Sequence, residues 1–75
     1  MRPNERLNTI DWFLTLLTEM TGKKHTYYQE SDLYTLKVDG VSASTTMTGS
    51  KEFLHFVNGL WIYMTNLNKE ESKHA

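Results

Sequence analysis

The chain has 75 residues, no cysteine, and eight Lys and Arg against nine Asp and Glu, for a formal net charge of -1. A chain of this length is expected to form one domain, residues 1–75 with frayed ends near 1–4 and 69–75, and such a domain buries only about 60% of the surface its unfolded chain exposes. The charge balance excludes the bulk attraction to phosphate typical of nucleic-acid binders, and the missing cysteines exclude disulfides and thiolate metal sites and fit a cytoplasmic location.

Pro3 is tolerated ahead of a helix and Asn4 suits an N-cap, with Asn8 or Thr9 as a second candidate. From there to Met20, the apolar residues Leu7, Ile10, Phe13, Leu14, Leu17 and Met20 follow helical spacing, while Asn8, Asp11, Thr15, Thr18 and Glu19 collect on the opposite side. Trp12 and Leu16 widen the apolar arc past half the circumference, so something besides a sheet must cover them. Thr21-Gly22-Lys23-Lys24 ends the helix, because glycine suits the left-handed position after the last turn and cations suit the negative helix end.

The period then changes to alternation, which predicts strands. The first runs from His25 to Gln29, Gln29-Glu30-Ser31-Asp32 reads as a short turn, and the second strand runs from Leu33 to Val38. Asp39-Gly40 predicts a two-residue type I′ turn with positive φ at both positions, followed by a third strand from Val41 to about Thr48. That turn sets Val38 opposite Val41, Leu36 opposite Ala43 and Tyr34 opposite Thr45, so these six and Met47 share an inner face. Leu33, Thr35, Lys37, Ser42, Ser44, Thr46 and Thr48 form a hydroxyl-rich outer face. A tight first hairpin adds His25 and Tyr27 to the inner face and Tyr28 to the outer one.

Gly49 and Ser50 break the chain before a second helix, predicted over Ser50 to Leu67 with Ser50 as N-cap and Glu52 near the positive end. Phe53, Phe56, Val57, Leu60, Met64 and Leu67 are its predicted core stripe. Leu54 and Trp61 fall on one flank, Tyr63 on the other, and Ile62 at the back among His55, Asn58, Gly59 and Asn66. The element order predicts an α+β domain, αβββα, with a three-stranded antiparallel sheet and both helices packed on one face.

This organisation resembles the double-stranded-RNA-binding domain over roughly Ile10 to Met64. Leu17-Thr18-Glu19-Met20 is similar to that family's L-x-E-L on its first helix, and Gly49-Ser50-Lys51 to its G-x-S-K lead into the second. The resemblance implies the αβββα topology, with Glu19 reaching a minor groove and Lys51 and His55 at the phosphates. Lys51-Glu52-Phe53-Leu54-His55 stands where the family has K-K-x-A-K and keeps one of three lysines; the family's G-P-x-H loop has no counterpart in Gln29 to Asp32. Most groups for shape-specific duplex binding are therefore missing. In general style the chain also resembles small accessory proteins of phages and other mobile elements. That likeness covers no motif, and implies a short non-enzymatic chain that modulates or inhibits a host or phage protein.

Candidate chemistry is sparse. His25, His55 and His74 match no zinc spacing, and Gly22 and Gly49 belong to no phosphate-cradling pattern. Asp11 and Glu19 read as part of a solvated helix face rather than an acid–base pair. No catalytic, cofactor-binding or metal-ligating set is expected. Neither Met1 to Arg6 nor the run Phe53 to Met64, broken by His55, Asn58 and Gly59, reads as a secretion signal or a membrane span. Tyr28 and Lys37 on the outer sheet face are candidates for stacking and pairing with single-stranded nucleic acid. The surplus of apolar residues on the helices, Trp12, Leu16, Trp61 and Ile62, is the candidate protein interface, because contiguous apolar patches with tryptophan anchors mark binding surfaces. The expected function is a small regulatory or inhibitory protein that contacts another protein or a second copy of itself. A nucleic-acid-binding module built on Glu19, Tyr28, Lys37, Lys51 and His55 is the second reading.

Overall fold

A computed structural model describes residues 2–74, with the backbone alone described for Pro3 and residues 70–74. Met1 and Ala75, within the ends expected to fray, lie outside the described residues. The elements are α1 (Pro3–Thr21), β1 (His25–Glu30), β2 (Leu33–Val38), β3 (Thr45–Thr48) and α2 (Ser50–His74). The strands form one antiparallel sheet in the order β1-β2-β3. Both helices pack on the same face of it, giving the α+β order αβββα.

The start of α1 differs from the expected asparagine cap. Arg2, extended at φ -72° and ψ 153°, precedes a helix whose first residue is Pro3. Proline at this position has its φ preset and lacks an amide that would in any case find no partner, and Glu5 Oε2 accepts from the Arg2 amide at 3.4 Å. The other end follows the sequence: Gly22 is left-handed at φ 73° and its amide donates to the Thr18 carbonyl at 2.9 Å. Thr18 then fastens α1 to the sheet, donating to the Leu14 carbonyl and accepting from the His25 amide at 2.9 Å.

The two hairpins exchange roles relative to expectation. Ser31-Asp32 is the tight two-residue turn, so β1 extends to Glu30, which pairs with Leu33. Ser31 alone takes positive φ there (56°), the φ signature of a type II′ turn, whose twist suits antiparallel strands. At Asp39-Gly40 only Gly40 has positive φ (82°), and the Val41 amide donates to the Val38 carbonyl at 3.1 Å. This is the type II pattern, which splays the flanking strands. Residues 41–44 therefore leave the ladder, β3 begins at Thr45 instead of Val41, and Leu36 faces Thr45 while Tyr34 faces Met47. The shift is two residues, so every paired side chain keeps its face. Val41, 47% exposed, and Ala43 drop out of the inner face.

Helix α2 starts where expected but by another mechanism. The Gly49 carbonyl accepts the first helical bond from Phe53, and the Ser50 hydroxyl accepts from Arg6 Nη1 at 2.9 Å instead of capping an amide. The helix continues past Leu67 to His74, since Asn68-Lys69-Glu70-Glu71-Ser72-Lys73 contains no glycine or proline to stop it. The helices run side by side in the same sense: Arg6 meets Ser50 near their starts, and Phe13 meets Trp61 further along.

The core between helices and sheet holds Ile10, Leu14, Leu17, Tyr34, Leu36, Phe53 and Val57. Phe53, wholly buried, lies with its ring centroid 5.7 Å from Tyr34 and 5.5 Å from Tyr27. Of the stripe predicted on α2, Phe56, Leu60 and Met64 are partly buried at its margin, while Leu67 is 36% exposed. Leu54 and Trp61, expected on the outward flank, pack against the core instead. Trp61 turns inward because α1 lies against that side of α2, where Phe13 meets its ring.

Candidate functional site

The surplus apolar residues gather where the two helices meet. Trp12, 57% exposed, stands beside Phe13 at a centroid distance of 5.1 Å, and Phe13 lies 5.7 Å from Trp61 of the other helix. Leu16, one turn after Trp12 on the same helix face, joins Met20, Glu19, Trp61 and Thr65 around a groove of about 400 Å³ between α1 and α2. The groove is mainly apolar, with the Glu19 carboxyl as its charged member. Thr65 adds an unusual feature. Thr9, Thr15, Thr18 and Thr21 each donate to the carbonyl four residues earlier, whereas Thr65 Oγ1 is shielded from water with no partner among the described residues.

Trp12, Leu16 and Trp61 are thus brought together. Ile62, the fourth candidate, is 47% exposed but does not line the groove; at about 100° per residue it stands a quarter-turn past Trp61, on the solvent side of α2 with Tyr63, which is 55% exposed. Phe13, Met20 and Thr65 are contributors that sequence reading missed. Periodicity gives Phe13 and Met20 wholly to the core, because the pattern along one helix cannot say which edge of its apolar arc a second helix will meet.

The nucleic-acid candidates do not share a surface. Tyr28 and Lys37 lie on the outer sheet face, the Lys37 ammonium 5.1 Å from the Tyr28 ring centroid, so the cation already covers the ring expected to stack. Glu19, Lys51 and His55 are exposed on the helices, on the other side of the sheet. Arg6, drawn in through Ser50, places a second cation near Lys51.

A further hollow of about 560 Å³ lies between α1 and the edge strand β1, lined by Asp11, Thr15, Thr18 and Glu19 on one side and Lys24 to Tyr27 on the other. Burial raises the pKa of the Tyr27 hydroxyl above the usual tyrosine value, with smaller contributions in the same direction from Asp11 and then Tyr34. His25 Nδ1 is held 2.7 Å from the Lys23 carbonyl. The side chain of His74 lies outside the described residues. Among the described residues no group of three His, Asp or Glu side chains is placed to hold a metal ion, and no helix is long and apolar enough to cross a membrane.

No protein-family profile matches the chain, and no curated protein or solved structure is significantly similar to it.

Proposed function

We propose that this chain is a small protein-binding module, regulatory or inhibitory in role and without catalysis of its own, that docks another protein on the helical ridge of Trp12, Phe13, Leu16 and Trp61. The observation that carries this reading is Trp12: more than half exposed, at the end of an aromatic row whose inner members are anchored in the core. An exposed tryptophan held by packed neighbours loses little freedom on binding and gains a large buried area, which is how aromatic anchors concentrate binding energy. The adjoining groove offers a partner's apolar side chain a place beside Leu16 and Met20. A cytoplasmic accessory role of phage or mobile-element type, acting on a host or phage protein, accords with the cysteine-free composition.

The nucleic-acid reading has less support, because its residues divide between opposite sides of the sheet and Lys37 is engaged with Tyr28. A pull-down with the tagged chain from cells that carry it tests the preferred reading. Trp12→Ala and Leu16→Asp, each confirmed folded by circular dichroism, are expected to lose a protein that the parent and Tyr28→Ala both recover. Equal recovery by all four chains would transfer the interface to another surface.

A further inference from the structure

We infer that β1 is a self-pairing edge, on which a second copy of this chain adds its own β1 antiparallel to build a continuous six-stranded sheet. In the order β1-β2-β3 the outer side of β1 has no strand beside it among the described residues. The Asp39 amide donates to the Lys24 carbonyl at 3.0 Å, which makes Lys24 and Asp39 a hydrogen-bonded pair. Alternation along an antiparallel ladder then turns the backbone groups of Thr26, Tyr28 and Glu30 toward β2 and those of His25, Tyr27 and Gln29 outward. The His25 amide is taken by Thr18 Oγ1, which leaves the amides of Tyr27 and Gln29 as the donors of this edge without a partner among the described residues. Neither proline nor a bulge interrupts it: β1, His-Thr-Tyr-Tyr-Gln-Glu, has no proline, and it pairs residue for residue with β2.

Charge complementarity selects the occupant and the register. With a two-fold axis at Tyr27, each Tyr27 amide donates to the other copy's Tyr27 carbonyl and each Gln29 amide to the other copy's His25 carbonyl, so both donors on each chain are satisfied. In the same register Lys24 lies directly opposite Glu30 of the second copy at both ends, and Thr26 lies opposite Tyr28, a favourable cross-strand pair. The alternative two-fold register at Tyr28 satisfies the same donors but sets Glu30 against Thr26 and Lys24 against Asp32, which lies in the turn beyond the end of β1 rather than on the ladder. Above the edge, the hollow between α1 and β1 gives room for the second copy, and its walls carry both signs of charge, with Asp11 and Glu19 against Lys24.

The test is sedimentation equilibrium of the full chain across a micromolar-to-millimolar series. The expected result is a mass of two chains at the upper end. Glu30→Lys and Lys24→Glu, both at exposed positions, each place like charges opposite one another twice and should weaken dimerisation about tenfold. The double variant carrying both changes should restore the parental constant while circular dichroism stays unchanged throughout. A single-chain mass at every concentration overturns the inference. So does a dimer indifferent to the single variants, a double variant that fails to restore it, or a dimer that only Leu16→Asp disperses, which would place the contact on the helical ridge.

Discussion

Phe53 is the residue on which both helices and the sheet converge: it is wholly buried, with its ring among those of Tyr27, Tyr34 and Phe56. Phe53→Ala is expected to cost about 3–5 kcal/mol, a large share of the whole for so small a domain, whereas Ile62→Asp on the solvent side of α2 should stay within about 0.5 kcal/mol of the parent. Urea unfolding of the two variants measures the contrast. Tyr27 contributes a pH dependence of determined sign. Its folded state holds the phenolic proton to higher pH than the unfolded chain, so its contribution is complete below about pH 10 and is lost as pH rises through the folded value. Tyr27→Phe should therefore make alkaline unfolding above about pH 10 less steep; an unchanged slope would mean that this hydroxyl is as well solvated folded as unfolded. At this scale the sequence was most legible where burial is deepest. Ile10, Leu14, Leu17, Phe53 and Val57 follow from periodicity alone, because any helix laid on a sheet must bury that stripe. Periodicity puts Trp61 on the outward flank, whereas the contact with Phe13 of α1 turns it inward, and that contact is not a property of α2.

Among the elements, the hairpins carry the sharpest predictions. A Cβ added at Gly40 meets nothing within 4 Å, so the cost of Gly40→Val comes from its φ of 82° rather than from a clash. That cost is expected to be about 1–3 kcal/mol. Ser31→Gly should have the opposite sign. Relief of the left-handed strain outweighs the entropy glycine adds to the unfolded chain, and a net gain of about 0.5 kcal/mol is expected by denaturant unfolding. A loss on Ser31→Gly would show that the serine side chain contributes more to the turn than its backbone strain removes. Asp39-Gly40 marks a turn in the sequence and forms one, yet the dipeptide serves two turn types, and the choice between them sets where β3 begins. The faces of the strands survive this difference because the register moves by an even number of residues.

The whole molecule was legible as an αβββα fold with helices on one face, because each change of period and each glycine break marks an element boundary. The candidate interface was legible in part: Trp12, Leu16 and Trp61 were named from surplus apolar surface, while their neighbours Phe13, Met20 and Thr65 emerge only once the helices lie side by side. Binding to duplex RNA is expected to be absent below micromolar concentration in a gel shift at about 0.15 M salt, since one lysine and Arg6 near the start of α2 supply few phosphate contacts. Sub-micromolar binding there would promote the nucleic-acid reading. The central proposal, docking through the helical ridge, is tested most directly by photo-crosslinking in cells that carry the chain, with a benzophenone amino acid in place of Trp12 and, separately, of Tyr28. The ridge position should capture one partner protein in a discrete adduct that Leu16→Asp abolishes, and the sheet position should not. A discrete adduct from the Tyr28 position with none from the Trp12 position would contradict it.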